Sequence, residues 1–245
     1  MGYLYILSNF ESRTTVDMDF LLRNQSTDIN NVIKDIKDII SIETENEFIA
    51  FDIIKIKAIT VEKKYPGVSI QMMGKINNTR TPVNVDFGVG DVVVPKTEIR
   101  NMKAQLDGFE DVKVHTYSLE STVAEKLDAI LQRFELTSRM KDFYDIWYIS
   151  TTFNFEGRLF SAAIKDTFLN RGTIIEDDSF DRIKGLAKNS IILERWDSYK
   201  RKMKITLEIE ECIEIGTKLL NPVIDSLLND ELMDGIWDVY NQKWV

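Results

Sequence analysis

The first part of the chain alternates between apolar and polar residues in the way that a half-buried β-strand does. Residues 16, 18 and 20 are apolar, whereas Asp17 and Asp19 between them are charged. This period of two predicts a strand over Thr15–Leu22 with one buried face. Further segments with strand-like composition follow at Ala50–Val61, Val68–Ile76, Pro82–Phe87 and Val112–Tyr117.

A helix is expected among these strands. Apolar residues recur at helical spacing from Asp28 to about Ile40, and Asp28 is a suitable N-cap. A Pro-Gly pair within Lys63–Gly67 and the turn at Asn77–Thr79 separate the later strands. The pattern therefore predicts a mixed sheet flanked by at least one helix.

From Ser118 onward the apolar period becomes that of an α-helix. One apolar stripe extends from Val123 to Phe134, and a second extends from Phe143 to Ile149. Additional helices are predicted at Glu156–Leu169, Asp178–Lys188, Ile191–Met203, Ile209–Leu228 and Glu231–Tyr240. We therefore predict an α+β protein with a mixed-sheet domain at residues 1–117 and a C-terminal helical bundle at residues 118–245.

Composition narrows the chemistry that the chain can perform. His115 and Cys212 are the only residues of their types among the 245, which argues against an internal disulfide, a Cys-based zinc site and Ser-His-Asp catalysis. Both are expected to be structural. No apolar run approaches the ~18–20 residues of a membrane span, and the N-terminus lacks a signal-peptide layout. The sequence thus predicts a soluble cytoplasmic protein whose chemistry rests on carboxylates, Lys, Arg and backbone groups.

The formal net charge of −9 argues against a basic platform for nucleic acid. The densest basic stretch is Arg195–Lys204, which carries five Lys and Arg residues. Two interpretations remain open for it. It is either a solvated helix face or a patch that follows the phosphates of a nucleic acid.

Three carboxylates in the predicted sheet are candidate metal ligands. Asp17 and Asp19 stand two residues apart on one strand, so they share a face at a separation of about 6–7 Å. A divalent Mg²⁺ or Mn²⁺ ion would relieve their repulsion, although a solvent-facing acidic strand has the same pattern. Asp86 precedes a Gly-rich turn at residues 88–91. It either adds a third ligand from a neighbouring strand or caps that turn.

A lysine and two aspartates form the second candidate cluster, in the helical half. Lys126 borders the first apolar stripe, and Asp142 and Asp145 are close enough on the next helix to face one partner. The lysine could neutralise triphosphate charge in an active site. An interhelical salt bridge is the alternative explanation.

Four segments, taken in order, resemble the AbiEii/AbiGii family of nucleotidyltransferase toxins, a branch of the DNA-polymerase-β-like nucleotidyltransferase superfamily. They are residues 13–20 around Asp17-Met18-Asp19, residues 85–91 around Asp86, the segment Ala124-Glu125-Lys126-Leu127, and the segment Lys141-Asp142-Phe143-Tyr144-Asp145. The similarity extends from the N-terminus to about residue 150, and the last two segments are its most specific parts.

The resemblance implies a mixed-sheet nucleotidyltransferase core whose cleft receives Lys and Asp motifs from the helical domain. It implies catalytic roles for Asp17, Asp19, Asp86, Lys126, Asp142 and Asp145, of which the first three also bind Mg²⁺ or Mn²⁺. Arg13, Thr14 and Lys126, together with Gly2, would bind the nucleotide. The expected substrate is an NTP, the expected acceptor is RNA such as tRNA, and the expected partner is a cognate antitoxin in abortive phage defence.

One departure from the family concerns the start of the chain. The family places a Gly-Gly or Gly-Ser turn before the acidic strand, where backbone N–H groups cradle the phosphates. Here only Gly2 matches, and we expect the first strand-helix segment to be missing. The alternative function is therefore a catalytically inactive relative that binds a protein or RNA.

Overall fold

The computed structural model describes residues 17–22, 28–42, 49–59, 67–89, 97–104 and 108–245. The chain divides into two compact units, residues 1–91 and residues 92–245. This division falls before the predicted boundary at residue 117. The segment between the two positions contains a hairpin whose strands pair with each other and not with the first sheet.

The first unit is a four-stranded mixed sheet with one described helix. Its elements are β1 (Asp17–Leu22), α1 (Ile29–Ile40), β2 (Ile49–Ile59), β3 (Gly67–Ile76) and β4 (Thr79–Val89). The strand order is β1-β4-β3-β2; β1 is parallel to β4, and the other neighbours are antiparallel. The predicted mixed sheet and its flanking helix are confirmed.

The two faces of this sheet differ in polarity because strand residues alternate between them. Val32 and Ile36 of α1 form a buried cluster with apolar residues of β3 and β4, among them Ile70 and Val85. The predicted N-cap is present, since the Asp28 carboxylate accepts a hydrogen bond of 2.8 Å from the backbone N–H of Asn30. The opposite face of the sheet carries polar residues, among them Gln71 of β3 and Asp86 of β4.

The second unit begins with the hairpin and continues as a helical bundle. Its described elements are β5 (Glu98–Met102), β6 (Val112–Thr116), α2 (Leu119–Leu131), α3 (Met140–Thr152), β7 (Phe155–Glu156), α4 (Gly157–Arg171), α5 (Ser179–Leu186), α6 (Ser190–Met203), α7 (Ile209–Leu228), β8 (Ile236–Asp238) and β9 (Lys243–Trp244). Six of the seven helices predicted from residue 118 onward are present. No described helix is both long enough and apolar enough to cross a membrane.

The helix predicted at Glu231–Tyr240 is wrong. This segment instead forms a small antiparallel sheet in which β8 pairs with β7 and β9. The backbone turns through left-handed conformations at Asp230 and Gly235, with φ values of 58° and 109°, which a helix does not contain. Trp237 is fully buried there, and its indole N–H donates to the Ser150 carbonyl at 2.8 Å.

The single histidine is exposed, whereas the single cysteine is buried. His115 lies on β6, where its Nδ1 is 3.4 Å from the Thr97 hydroxyl. Cys212 is buried in α7, and this burial raises the pKa of its thiol. The burial of Cys212 agrees with the packing role predicted for it, whereas the structural role predicted for His115 stays a prediction.

Candidate active site

The parallel pairing of β1 and β4 brings two of the candidate carboxylates onto neighbouring positions. Asp19 is in register with Asp86, and the position of Asp17 is in register with Asn84. Because neighbouring strands are about 4.8 Å apart, the positions of Asp19 and Asp86 are about 5 Å apart on the same face of the sheet. The sheet therefore joins carboxylates that stand 67 residues apart in the sequence.

Asp86 lies inside β4, because this strand continues to Val89. The strand is longer than the predicted segment, which ended at Phe87. Asp86 pairs with Ser69 of β3 on one side and with Asp19 of β1 on the other. Residues 90 and 91 of the Gly-rich turn lie outside the described residues, so a cap of this turn by Asp86 stays the alternative interpretation.

Both carboxylates are accessible to solvent, since Asp19 is exposed and Asp86 is half-buried. Within the described part of the chain, neither forms an ion pair with a lysine or arginine. The described side chains contain no group of three or more His, Cys, Asp or Glu residues that could hold a metal ion. The side chain of Asp17 and the whole of Gly2, Arg13 and Thr14 lie outside the described residues, so their predicted roles stay predictions.

The helical unit contains the other predicted cluster as a buried ionic network. Lys126 of α2 is 2% exposed, and its ammonium lies 2.5 Å from the Asp145 carboxylate and 3.2 Å from that of Asp142. Arg139 donates to the second carboxylate oxygen of Asp142 at 2.5 Å. The interhelical salt bridge, which was the alternative explanation for these residues, is present.

Local sequence explains how the two helices present these charges to each other. The Ser118 hydroxyl caps the start of α2 by accepting from the backbone N–H of Ser121 at 3.0 Å. Almost every residue from Ser121 to Leu131 is buried, so Lys126 is placed inside the bundle together with the apolar stripe. Burying a lysine is costly unless opposite charges surround it, and two aspartates three residues apart on α3 supply them.

Asp128 forms a second buried ionic contact that the sequence analysis did not identify. Its carboxylate accepts from Arg171 at 3.0 Å and from Gln132 at 2.9 Å, and it also contacts the Thr173 hydroxyl. These contacts tie α2 to the end of α4. The helix sequence contains Glu120, Glu125 and Lys126 besides Asp128, so its charge pattern alone did not mark Asp128 as buried.

The basic stretch on α6 is partly engaged within the protein. Lys200 donates to both carboxylate oxygens of Glu208 at 2.7 Å, and this hydrogen bond raises the pKa of the ammonium. Arg195 donates to the Thr137 carbonyl at 2.6 Å. Two of the five cations thus serve internal contacts, which favours the solvated-face interpretation of Arg195–Lys204.

Comparison with known proteins gives a family and a fold. The model of the family described as "Nucleotidyl transferase AbiEii toxin, Type IV TA system" matches residues 3–227. A crystal structure of an H. pylori protein assigned as a nucleotidyltransferase is similar, with a TM-score of 0.50 and 11% identity over 92% of this chain and 86% of that one. The structure of JHP933 from Helicobacter pylori aligns with a TM-score of 0.47 and 12% identity over 89% of this chain and 82% of that one. None of the curated proteins matches the chain.

Proposed function

Since the chain belongs to the AbiEii family of nucleotidyl transferase toxins, we propose that it transfers a nucleotide from an NTP to an RNA acceptor such as tRNA. Membership makes it a nucleotidyltransferase of a type IV toxin–antitoxin system and implies a cognate antitoxin as its partner. The proposal adds the acceptor, a requirement for Mg²⁺ or Mn²⁺, and a role for the toxic reaction in defence against phage. The register pairing of Asp19 with Asp86 is the observation that carries it.

The argument from this pairing is electrostatic. Like charges on facing strand positions repel, which lowers the stability of a sheet. Asp19 and Asp86 are such a pair, and among the described residues no lysine or arginine forms an ion pair with either of them. A divalent cation from solution would compensate both charges at once, and carboxylate oxygens are donors that Mg²⁺ and Mn²⁺ prefer.

We propose that Asp19, Asp86 and Asp17 hold the cation, since residue 17 belongs to the same strand face by alternation. When bound, a divalent ion supplies positive charge that offsets the charge on the reacting phosphates. In the transfer, an acceptor hydroxyl oxygen bonds to the α-phosphorus of the NTP and releases its proton to water. The bond between that phosphorus and the oxygen that bridges to the β-phosphorus breaks, and pyrophosphate leaves with this oxygen. Asp86, inside β4, would accept a hydrogen bond from the attacking hydroxyl and so orient it.

The other predicted site residues receive different roles in this proposal. Gly2, Arg13 and Thr14, which precede β1, would bind the phosphates of the NTP. Salt bridges join Lys126 to Asp142 and Asp145. We therefore assign these three residues the role of holding α2 against α3. A direct contact between Lys126 and the nucleotide stays a prediction of the family resemblance.

The test is the double variant Asp19→Asn/Asp86→Asn. It should lose Mg²⁺-dependent transfer of label from radiolabelled NTPs to bulk tRNA and should lose toxicity on expression. Its urea midpoint should equal or exceed that of the wild type, because a repulsive pair has been neutralised. The matched control is Asp35→Asn/Asp38→Asn, which neutralises two exposed aspartates on α1 of the same unit and should keep full activity.

A loss of transferase activity without a loss of stability in the Asp19/Asp86 variant would show that these residues serve the reaction and not the fold. If the Asp19/Asp86 variant keeps its transferase activity, the assignment of the acidic face is wrong. If the wild type binds RNA yet transfers no nucleotide with any NTP in Mg²⁺ or Mn²⁺, the chain is the inactive binding relative that the sequence left as the alternative.

A further inference from the structure

A β-bulge in strand β2 determines which of its residues face the acidic side of the sheet. Ile53 pairs with Met72, but the next pair along the ladder is Lys55 with Gln71, so Ile54 is an extra residue with no partner. In a regular strand, residues 53, 55 and 57 would share one face. The extra residue reverses the alternation, and Lys55 and Lys57 therefore face away from the side on which Ile53 packs.

The ladder registers place these lysines in the same rows as the acidic residues. Lys57 pairs with Ser69, which pairs with Asp86, which pairs with Asp19. In the neighbouring row, Lys55 pairs with Gln71, which pairs with Asn84, which pairs with the position of Asp17. Each row thus has a lysine at the β2 edge of the sheet and an aspartate at the β1 edge.

Lys55 and Lys57 have no ion-pair partner among the residues that the structure describes, and both are exposed. Lys75 on the same face differs, because it forms a salt bridge with Asp52. Among the described residues, Lys55 and Lys57 thus stand two positions apart on one strand without an ion pair, on a chain whose net charge is −9. Their surroundings suit an anion that arrives from solution.

We propose that Lys55 and Lys57 bind consecutive phosphates of the RNA acceptor. Residues i and i+2 of a strand are about 6–7 Å apart, which is comparable to the distance between neighbouring backbone phosphates of RNA, and Lys57 is two strands, about 10 Å, from Asp86. An RNA end lying across β3 would present its terminal hydroxyl near Asp86 while its backbone reaches the lysines. This inference rests on the proposed function, in which the acidic face is the reaction centre.

The position of the lysines favours the acceptor over the NTP as their ligand. The residues assigned to the NTP precede β1 in the sequence, and β1 is the edge strand of the described sheet that lies opposite β2. Lys55 and Lys57 are three strands from β1, about 14 Å away, and Asp86 lies between. Lysines and bulges also protect edge strands from unwanted pairing with other chains, and the experiment must separate that role from phosphate binding.

The first variant is Lys55→Gln/Lys57→Gln, with Lys34→Gln/Lys37→Gln on α1 as the matched control. Binding of bulk tRNA should weaken roughly tenfold, and the slope of log affinity against log salt should fall in magnitude by about 1.5, as expected for two lost phosphate contacts. Calorimetric affinity for NTP in Mg²⁺ should be unchanged. The control should match the wild type in both measurements.

A second variant, Lys55→Glu/Lys57→Glu, keeps a charged edge but repels phosphate. It should sediment like the wild type and lose tRNA binding, whereas a protective role alone would leave tRNA binding intact. The inference is overturned if NTP affinity falls in place of tRNA affinity, or if both double variants bind tRNA like the wild type. If the lysine variants bind tRNA normally and the wild type transfers label to tRNA, only this inference has failed. If the wild type neither binds nor labels tRNA, the proposed function is overturned as well.

Discussion

Acidic residues of this protein occupy two opposite environments, and the difference decides what each can do. Asp19 and Asp86 face solvent beside each other, so their charges are available to a cation. Asp142 and Asp145 are at most 2% exposed, and Lys126 and Arg139 already compensate them. Neutralising the first pair should affect chemistry, whereas disturbing the second should affect folding.

The first consequence at this scale concerns Lys126. Lys126→Met keeps the length of the side chain but removes the ammonium that the buried Asp142 and Asp145 both contact. Removing one partner of a buried ion pair is strongly destabilising, so the free energy of unfolding from urea titration should fall by about 3–5 kcal/mol.

The double variant Lys126→Met/Asp145→Asn provides the control, because it removes the charge of a buried carboxylate together with that of the lysine. It should recover more than half of the lost stability. Transfer of label, measured on this folded variant, then tests the nucleotide contact separately from folding. A single variant that loses less than about 1 kcal/mol would contradict the buried-pair argument.

At the scale of elements, periodicity predicts helices well when one stripe of the helix is buried. The helices α4, α5, α6 and α7 fall close to their predicted ranges because each has an apolar stripe at helical spacing. The bulge at Ile54 was not predicted, since an extra residue in an Ile-rich strand leaves no mark in composition. The register of Asp19 with Asp86 depends on long-range pairing, which the sequence could suggest but not specify.

The C-terminal sheet shows the limit of local patterns most clearly. Residues 231–240 contain an apolar spacing compatible with a helix, but the contacts of Trp237 with the rest of the bundle select an extended conformation. The backbone at Gly157 also lies close to the backbone at Met233, which favours the extended conformation of this segment. A Cβ atom at Gly157 would lie 2.6 Å from the Met233 carbonyl oxygen, so the packing requires glycine there.

This close approach gives a prediction for two glycines. Gly157→Ala should lower the free energy of unfolding by about 1–3 kcal/mol, because the backbone of residue 233 would have to shift. Gly185→Ala, where no atom lies within 4 Å of the new Cβ, should instead raise it by about 0.5–1 kcal/mol through helix propensity. Thermal unfolding of both variants measures these changes. Equal changes in stability for Gly157→Ala and Gly185→Ala would contradict the packing argument.

At the scale of the whole molecule, the two compact units each have a hydrophobic core of their own. The buried cluster that joins α1 to β3 and β4 draws only on residues of the first unit. Trp196 and Trp237, the largest fully buried side chains, bond to carbonyl groups within the second. The predicted boundary at residue 117 differs from this division because the periodicity changes there, whereas the chain contacts already change near residue 92.

A fragment of residues 97–245 should therefore fold without the first unit. We expect helical circular dichroism and a single cooperative urea transition, because the buried side chains of Trp196 and Trp237 bond to carbonyl groups within this fragment. The same fragment with Trp237→Ala serves as a control that should unfold at lower urea. A shallow transition together with binding of a hydrophobic dye would show that the second unit depends on the first.

The burial of Cys212 has a consequence for spectroscopy. It is the one cysteine of the chain, and burial raises the pKa of its thiol, so it reacts slowly with maleimides at neutral pH. Cysteines introduced at exposed positions, such as Asn78 in the turn between β3 and β4 and Lys188 after α5, would take up fluorophores on an otherwise wild-type background. A donor and an acceptor dye at these two positions would report the separation of the units by energy transfer, and its change as NTP and RNA are added.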